Sequence, residues 1–469
     1  MKNNLLFADI HCHPNLKTYG HSYDSCEPNK KCNVWYYNPP GTFTKLLNIV
    51  AGITRFSQAD FTTLRKGGAG IVFASLYPFE KGFFINGAGK GSISAFLSNL
   101  ITDIGYQRIR HLQKHTNYFE DLEKEYAFFT QSQQEHTFGE KQHTWQLASD
   151  WATTEKIIEE KNKTAVLLSI EGAHVFNSGL EEYGITANAE EIVQNIKTVK
   201  QWKYPPVFIT FAHNFNNELC GHASSLEPIK AFVDQQNGLN QGFTSLGKKV
   251  LDHLLSDQNG KPVYIDIKHM SIKSRKEYFN LLKSDYQKRE IPTLVSHGAL
   301  NGMNFKGDKT ARFPKTYYSS DINFFDEEVL DIARSGGLFA IQFDTRRIAQ
   351  KKLVKKKLRS LNKTTDVERS AQLIWHQIQH MAELLDRNEL PAWNIAAIGS
   401  DYDGTIDPLP GIWTAEYYPL LQKPLLQIAG NYLKNNRVLV LPENRKITPE
   451  EIVQRFFIGN TIRFLKQFR

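Results

Sequence analysis

Cysteine and long apolar runs are scarce in this chain. Only four of its 469 residues are cysteines, too few for a disulfide framework. We expect Cys26 and Cys32, which flank a short turn, to be free thiols, with a bond between them as the alternative. No apolar run reaches the roughly 20 residues of a membrane-spanning helix. The first strand-like run begins at Leu5 with no signal-peptide pattern before it. This predicts a cytoplasmic protein, with a processed export form as the alternative.

Positive charge is in excess, but it is not spread over the chain. The net charge is +8, and residues 345–363 alone carry nine Lys or Arg and no acid. The remainder is therefore close to neutral, and nucleic-acid binding is not indicated. We interpret residues 345–366 as a basic insertion, which is either a solvated helix face or a segment near the active site that attracts an anionic substrate.

Eight short apolar runs rich in Val and Ile recur along the chain, as is typical of strands buried on both faces. Amphipathic helical segments fill most of the gaps between them. Repeated strand–helix units predict an α/β fold, a distorted (β/α)8 barrel of the TIM type, in a single domain over residues 1–469. The runs cover residues 5–13, 70–76, 164–170, 207–212, 263–267, 293–296, 337–343 and 395–400.

Two gaps between the runs are too long for simple connections. Residues 79–144, after strand two, hold a glycine-rich stretch and then a helical pattern from Ile93 to Phe129. We interpret them as an insertion that forms a lid or an oligomerisation element. The glycines are not followed in register by the Gly-Lys-Ser/Thr of a phosphate loop, so nucleotide binding is not indicated. The second insertion is the basic segment after strand seven.

Six of the eight runs end in residue types that bind metals. A single such residue is more often an ordinary polar side chain, but the carboxyl ends of all barrel strands meet at one face, where barrel enzymes have their active sites. His11 and His13 are two residues apart on one strand and therefore face the same way. Imidazole and carboxylate are ligands that zinc prefers. The candidate residues are His11, His13, Glu171, His213, His269, His297 and Asp401.

Eight short motifs, in order, resemble those of the membrane dipeptidase family of zinc peptidases, within the amidohydrolase-like superfamily. The resemblance covers most of the chain, which would be a divergent member. The motifs are Asp-Ile-His-Cys-His at 9–13, Lys-Gly-Gly-Ala-Gly at 66–70, Ile-Glu-Gly-Ala-His at 170–174, Gly-Phe-Thr-Ser-Leu-Gly at 242–247, Asp-Ile-Lys-His-Met-Ser at 266–271, Ser-His-Gly-Ala at 296–299, Ile-Gly-Ser-Asp-Tyr-Asp-Gly at 398–404 and Ile-Gly-Asn-Thr-Ile-Arg at 458–463.

The resemblance implies a pair of divalent ions, expected to be two Zn²⁺, although other divalent ions would also fit. Glu171 would bridge both ions. His11 and His13 would bind one of them, and His269 and His297 would bind the other. A hydroxide between the two ions would attack the substrate carbonyl.

The resemblance also implies roles for two further residues. His213 would polarise the scissile carbonyl and stabilise the oxyanion that forms on it. Asp401 would hold the free amine of the substrate or shuttle protons, with at most a weak metal contact. Together with Glu171, these residues form the expected catalytic set.

Two positions depart from the family pattern. His13 stands where the family has Asp, which removes one negative charge from the expected ligand set. Ile322 stands where the family has an Arg that grips the substrate carboxylate, although the Asn beside it is present as Asn323. A basic residue from elsewhere could replace that Arg. The candidates are Lys306, Arg312, Arg346 and Arg347, of which we include Arg312 and Arg346 among the expected substrate-binding residues.

These observations favour a binuclear zinc hydrolase that acts on a small molecule, either a dipeptide or a similar small amide. An amidohydrolase acting on another amide, an N-acyl amino acid or a lactone is the second interpretation. A metal-binding protein without peptidase activity is the third, because of the two departures. The family resemblance also suggests a homodimer.

Overall fold

A closed ring of eight parallel strands forms the centre of the protein. The computed structural model describes residues 6–24, 30–85, 89–133, 136–138, 141–227, 233–355, 364–435 and 439–469. Its strands are β1 (Phe7–Cys12), β2 (Ala69–Leu76), β3 (His136–Phe138), β4 (Lys141–Leu147), β5 (Lys163–Glu171), β6 (Phe208–Thr210), β7 (Tyr264–Asp266), β8 (Thr293–Gly298), β9 (Leu338–Ile341) and β10 (Ala396–Ile398). The ring runs β1-β2-β5-β6-β7-β8-β9-β10 and closes through β10 on β1. The predicted (β/α)8 barrel is confirmed, and all eight of its strands come from the predicted runs.

Helices surround the ring, and several begin at a polar residue that caps them. The side chains of Asn188, Thr244 and Ser271 accept hydrogen bonds from the first backbone amides of the helices that follow, which stabilises each helix start. The helices are α1 (Leu16–His21), α2 (Thr42–Ala51), α3 (Phe61–Gly67), α4 (Ser92–Thr102), α5 (Tyr106–Leu112), α6 (Tyr118–Gln131), α7 (Trp151–Glu159), α8 (Ala189–Lys200), α9 (Ser245–Leu255), α10 (Ile272–Ser284), α11 (Asp326–Arg334), α12 (Thr345–Ile348), α13 (Lys351–Val354), α14 (Thr364–Arg387), α15 (Pro419–Asn435), α16 (Pro442–Arg445), α17 (Pro449–Gln454) and α18 (Asn460–Phe468).

The segment after β2 contains three helices and two strands. The helical pattern from Ile93 to Phe129 is divided into α4, α5 and α6, and the first break falls at Asp103 and Gly105, which both have a positive φ. The two strands were not predicted: β3 and β4 form an antiparallel hairpin, and β4 pairs in parallel with the first half of β5. This pairing attaches the end of the segment to the barrel.

Aromatic stacking also joins the segment to the barrel wall. Trp145 of β4 is fully buried, and its ring stacks on Phe61 of α3 at 4.5 Å and on Phe129 of α6 at 4.8 Å between ring centroids. Stacked rings of this size dominate the burial energy of a core. These residues belong to the same hydrophobic cluster as the barrel strands.

The basic segment after β9 is only partly described. It begins with α12 and α13, and residues 356–363 lie outside the described residues.

The cysteines differ from expectation at one position. Cys12 and Cys220 are free and buried, whereas Cys32 is disulfide-bonded, so its prediction as a free thiol is wrong. The prediction rested on the small number of cysteines, which does not exclude a single disulfide bond. Cys26 lies outside the described residues.

None of the helices in the described part of the chain combines the length and the apolar character that crossing a bilayer requires.

Candidate metal centre

Glu171, the last residue of β5, lies at the centre of a buried cluster of histidines at the carboxyl ends of the barrel strands. Its Oε1 lies 3.4 Å from His11 Nε2, 3.4 Å from His213 Nε2, 3.6 Å from His297 Nε2 and 3.9 Å from His269 Nε2. Its Oε2 lies 3.2 Å from His13 Nε2. One carboxylate therefore faces imidazoles from five different positions of the chain.

Asp401 completes the cluster on the side of β1. Its Oδ1 lies 3.8 Å from His11 Nε2 and 3.7 Å from His13 Nε2. The Asp401 amide donates to the His11 carbonyl at 2.9 Å, which fixes the loop after β10 against β1. All seven candidate residues of the sequence analysis thus lie in one buried site.

The donor atoms of the cluster suit metal ions. Potential ligand atoms lie within 4.8 Å of one another in two groups, His11 with Glu171, His297 and Asp401, and Glu171 with His213 and His269. Both ring nitrogens of His11 and of His13 are buried without a hydrogen-bond partner, as is Nδ1 of His269. Buried polar atoms without partners are costly, and a bound cation would satisfy them. Imidazole and carboxylate donors fit zinc.

The two groups do not divide the histidines as the family resemblance implies. The resemblance places His269 with His297, whereas the grouping places His297 with His11, whose ring stacks on it at 4.0 Å between centroids. However, His269 Nε2 lies only 3.2 Å from His297 Nε2. A single ion could therefore be shared by these two residues as well.

Two residues of the cluster have backbone conformations that L-residues rarely adopt. His269 has a φ of 66° and Asp401 a φ of 61°. Such conformations are costly and occur mainly where a site requires a particular side-chain direction. Backbone hydrogen bonds hold the first of them, since the His269 carbonyl accepts from the Ala223 amide at 2.8 Å.

Asp9 ties the end of β1 to the end of β10, behind the cluster. Its Oδ2 accepts from Ser400 Oγ at 2.5 Å and from the Tyr418 hydroxyl at 3.0 Å, and its Oδ1 accepts from the Ser400 amide at 3.0 Å. Burial raises the pKa of Asp9 to about 6 although these hydrogen bonds oppose the rise. The two hydrogen bonds from Ser400 fix this residue, which directly precedes Asp401.

Asp266, the last residue of β7, joins neighbouring strand ends on the opposite side of the barrel, as Asp9 does at β1 and β10. Its Oδ2 accepts from Thr210 Oγ1 at 2.6 Å and from Ser296 Oγ at 2.5 Å. Ser296 Oγ also lies 2.8 Å from His297 Nδ1. Such outer contacts orient metal-binding imidazoles. Asp9 and Asp266 lie in the sequence motifs, but the sequence analysis assigned no role to either. The pattern that could have identified them is an Asp two or three residues before a candidate histidine.

Glu80 is a residue of the site that the sequence analysis missed. Its Oε2 lies 2.8 Å from His213 Nδ1 and accepts from the Tyr77 hydroxyl at 2.5 Å. Strand two was considered to lack a ligand-type end, and Glu80 fell inside the predicted insertion. The only feature of the sequence that could have indicated Glu80 is its place four residues after the end of β2.

Glu80 and His213 each favour the charged form of the other. Burial opposes a charge on His213, but the carboxylates of Glu80 and Glu171 outweigh it and raise the pKa of His213 to about 10. Burial also opposes the charge on Glu80, but the nearby His213 lowers the pKa of Glu80 to about 2. In the absence of a bound cation these carboxylates favour a protonated His213, whose Nδ1 faces Glu80 and whose Nε2 faces the cluster.

Three of the four basic candidates for binding a substrate carboxylate lie on the surface or are already paired. Lys306 is exposed. The Arg312 side chain is 51% exposed and lies 3.7 Å from Glu383. Arg346 holds Asp344 through Nε at 2.9 Å and Nη2 at 2.6 Å.

Arg347 is buried and its side chain has one described hydrogen bond, from Nη2 to the Ser225 carbonyl. Its own carbonyl accepts from Asn323 Nδ2 at 3.0 Å, so its backbone lies against the residue next to Ile322. Ile322 itself is fully buried. The Arg347 backbone therefore lies beside the residue next to position 322, and its guanidinium reaches the Ser225 carbonyl.

A buried lysine, Lys268, also lies beside the cluster. Burial lowers the pKa of Lys268 to about 7, and its Nζ donates to Gln342 Oε1 at 3.4 Å. Gln342 Nε2 in turn donates to Asp401 Oδ2 at 2.7 Å. Gln342 thus links Lys268 to Asp401 and fixes one oxygen of that carboxylate.

Comparison with known proteins agrees with this geometry. The family model described as membrane dipeptidase, peptidase family M19, matches residues 42–435, a range that begins after His11 and His13. No curated protein sequence matches the chain.

Several solved structures share the fold. A dipeptidase, AC, described as a metallo peptidase of family M19, has a TM-score of 0.54 and 12% identity, with 99% of each chain covered. A metallo peptidase from Rhodobacter sphaeroides, liganded with a phosphinate mimic of the dipeptide L-Ala-D-Ala, has a TM-score of 0.53 and 12% identity, with 100% of each chain covered. A probable dipeptidase from Pseudomonas aeruginosa has a TM-score of 0.51 and 13% identity, with 98% of this chain and 94% of that one covered.

Proposed function

The chain belongs to the membrane dipeptidase family, and from that premise we propose that it cleaves dipeptides, or small amides of similar shape, with two zinc ions bound around Glu171. The family makes it a metal-dependent, dipeptidase-like hydrolase. The number of ions rests on one observation: a single carboxylate lies within 3.9 Å of imidazoles from five residues. One tetrahedral zinc ion takes only about four ligands. Glu171 and the four imidazoles of His11, His13, His269 and His297 exceed that number, and two ions that share Glu171 would use all five residues.

In this proposal, His11 and His13 would hold one ion, His269 and His297 would hold the other, and Glu171 would contribute to both. When bound, two such ions polarise a carbonyl and lower the pKa of water that reaches them. The substitution of His13 for the family's Asp leaves one negative charge fewer in the ligand set. This favours anionic groups on a substrate close to the ions.

We assign His213 to the substrate rather than to a metal. An imidazolium has a proton on both nitrogens and no lone pair for a cation. Glu80 keeps His213 in that form, with its Nδ1 at 2.8 Å from the carboxylate. Nε2 then donates to the carbonyl oxygen of the scissile bond as negative charge develops there.

Asp401 is assigned to the free amine of the substrate and to proton transfer. Its Oδ2 is fixed by Gln342, while its Oδ1 faces the histidines of β1. A carboxylate in that place can bind an ammonium group, or take the proton that the attacking water releases and pass it to the leaving amine.

The carboxylate of a dipeptide requires a cation, and we propose Arg347 for this role rather than Arg312 or Arg346. Arg312 is half exposed, and Arg346 is committed to Asp344. Arg347 is buried beside the site and lies closest to the position of Ile322 through Asn323. A guanidinium with free N–H groups binds a carboxylate in the paired geometry that favours Arg.

Replacement of Arg347 by Met is expected to lower kcat/KM for free dipeptides, because a buried charge-assisted contact contributes roughly 2–5 kcal/mol. This corresponds to about thirtyfold or more. Steady-state kinetics on free dipeptides and on the same dipeptides amidated at the C-terminus measure the effect, and the amidated substrates should show no comparable loss. Arg312→Met is the matched control and should behave like wild type. An Arg347→Met enzyme with the same kcat/KM as wild type would show that the carboxylate is bound elsewhere or that the substrate has none.

A substrate panel tests the proposed function as a whole. Zinc-loaded protein should cleave dipeptides, lose activity on chelation and regain it when zinc is restored. Turnover of N-acyl amino acids or lactones with no turnover of dipeptides would favour the amidohydrolase interpretation, for which the absence of Arg at position 322 is the supporting observation. Full metal content with no turnover of any member would favour a metal-binding protein without peptidase activity.

The remaining expectations stand as proposals on the same basis. We propose that residues 1–469 act as one domain with insertions at 79–144 and 345–366, that the protein is cytoplasmic, and that it forms a homodimer.

A further inference from the structure

The imidazole of His13 has no hydrogen bond behind it that fixes its direction. Its Nδ1 is buried without a hydrogen-bond partner among the described residues. By contrast, Nδ1 of His213 lies 2.8 Å from Glu80, and Nδ1 of His297 lies 2.8 Å from Ser296. Outer contacts of this kind normally orient a metal-binding imidazole. The direction of His13 must therefore come from the backbone around it and from the groups that pack on its ring.

Glu125, a fully buried residue of α6, holds two segments that border His13. Its Oε1 accepts from Asn15 Nδ2 at 2.5 Å, and its Oε2 accepts from the Tyr77 backbone amide at 2.8 Å. Asn15 lies two residues after His13, at the start of α1, and Tyr77 directly follows β2. The Tyr77 ring faces the His13 ring with 6.0 Å between centroids. One side chain thus fixes both the backbone after His13 and an aromatic ring beside it.

Further contacts hold α6 against α1. Asp121, one turn before Glu125, accepts from the Tyr19 hydroxyl at 3.0 Å. The same carboxylate forms a buried ion pair with Arg108, with 2.5 Å between Nη2 and Oδ2. Residues four apart on a helix lie on one face, so the pair Asp121 and Glu125 meets the pair Tyr19 and Asn15 at two successive turns. Glu125 therefore reaches Asn15 from a fixed position.

We propose that Glu125 is a positioning residue for His13, because from α6 it fixes the two segments that hold this imidazole in place to bind a metal ion. The inference rests on the proposed function, in which His13 is a zinc ligand. It concerns a position at which the chain departs from its family, and it gives α6, in the segment after β2, a part in the metal centre.

The affinity for zinc tests the proposal. Competition with a chromophoric chelator, starting from metal-free full-length protein, measures how tightly each variant binds the ion. Glu125→Leu removes both hydrogen bonds and keeps a side chain of similar size. It should raise the zinc dissociation constant about 10–100-fold, the loss typical of residues that orient a metal-binding imidazole.

Glu125→Gln is the conservative variant and should bind zinc nearly as tightly as wild type. Burial raises the pKa of Glu125 to about 8, so its contacts do not require a negative charge. The Gln amide can accept from the Tyr77 backbone amide. It can also donate to Asn15 Oδ1, which is buried without a partner among the described residues.

Phe129→Leu is the matched structural control. Phe129 is fully buried on α6, one turn after Glu125, and its ring stacks on Trp145 at 4.8 Å between centroids. This variant should lower the melting temperature and leave the zinc affinity unchanged. A His13→Ala background then shows the route of the effect. Once His13 is absent, Glu125→Leu should weaken zinc binding no further, because residues that act through one another are not additive.

Two results would overturn the inference and leave the proposed function intact. Zinc affinity could fall in His13→Ala and stay at the wild-type level in Glu125→Leu. Alternatively, Glu125→Leu could weaken zinc binding equally with and without His13. If Glu125→Leu does not fold, Asn15→Ala removes one of the same contacts, and wild-type zinc affinity in that variant would also overturn the inference. Zinc affinity that His13→Ala leaves unchanged would instead contradict the proposed ligands, and the inference with them.

Discussion

The His269→Ala protein is expected to lose hydrolytic activity and part of its bound metal together. His269 lies just beyond β7 with its Nε2 3.2 Å from His297 Nε2 and 3.9 Å from Glu171 Oε1. Alanine removes one donor from the second ion. Loss of that ion removes several kcal/mol of transition-state stabilisation, so kcat/KM should fall by roughly 10³ or more.

Elemental analysis and kinetics on the same preparation check this prediction. His253→Ala is a suitable control, since His253 lies on the partly exposed face of α9 and should keep wild-type metal content and activity. Full metal content in an inactive His269→Ala protein would show that His269 contacts the substrate rather than an ion.

The Asp401→Asn protein is expected to keep its metal and lose its activity. Asparagine keeps the shape of the side chain and an oxygen that can accept from Gln342, which donates to Asp401 Oδ2 at 2.7 Å. It removes the negative charge and the basicity. Loss of a positioned general base typically lowers the rate by a factor of roughly 10²–10⁴, so we expect kcat to fall at least 10²-fold with metal content near that of wild type.

The two variants should therefore be distinguished by metal analysis although both are inactive. An Asp401→Asn enzyme that keeps most of its activity would contradict the assigned role. The neighbouring Asp403 is a poor substitute, because its Oδ1 pairs with Lys17 at 2.8 Å and its Oδ2 accepts from the Gln58 and Ala59 amides.

The barrel could be predicted because its signal is local. Each strand is a short Val- and Ile-rich run, and parallel strands of one sheet end at the same face. That rule alone predicted that His11, His213, His297 and Asp401 would be neighbours, although they are far apart in sequence. In the structure the three histidines lie within 3.6 Å of Glu171, and Asp401 lies 3.8 Å from His11.

Other parts of the site could not be predicted because they depend on tertiary contacts between residues that are far apart in the sequence. Glu80 follows β2 by four residues with no motif around it, and only the fold shows that it meets His213. The position of Arg347 depends on a contact with Asn323 that no spacing indicates. Strand β4, Lys141–Leu147, pairs with the first half of β5 outside the ring and begins within the residues interpreted as the end of the insertion.

Metal stoichiometry tests the central claim most directly. Protein purified without chelator and saturated with zinc, then freed of unbound ions, can be measured by elemental analysis together with protein concentration. A cluster in which Glu171 bridges two ions predicts two zinc ions per chain, with the second lost in His269→Ala. One tightly held ion per chain in the zinc-saturated wild type, with no second site, would contradict the binuclear centre.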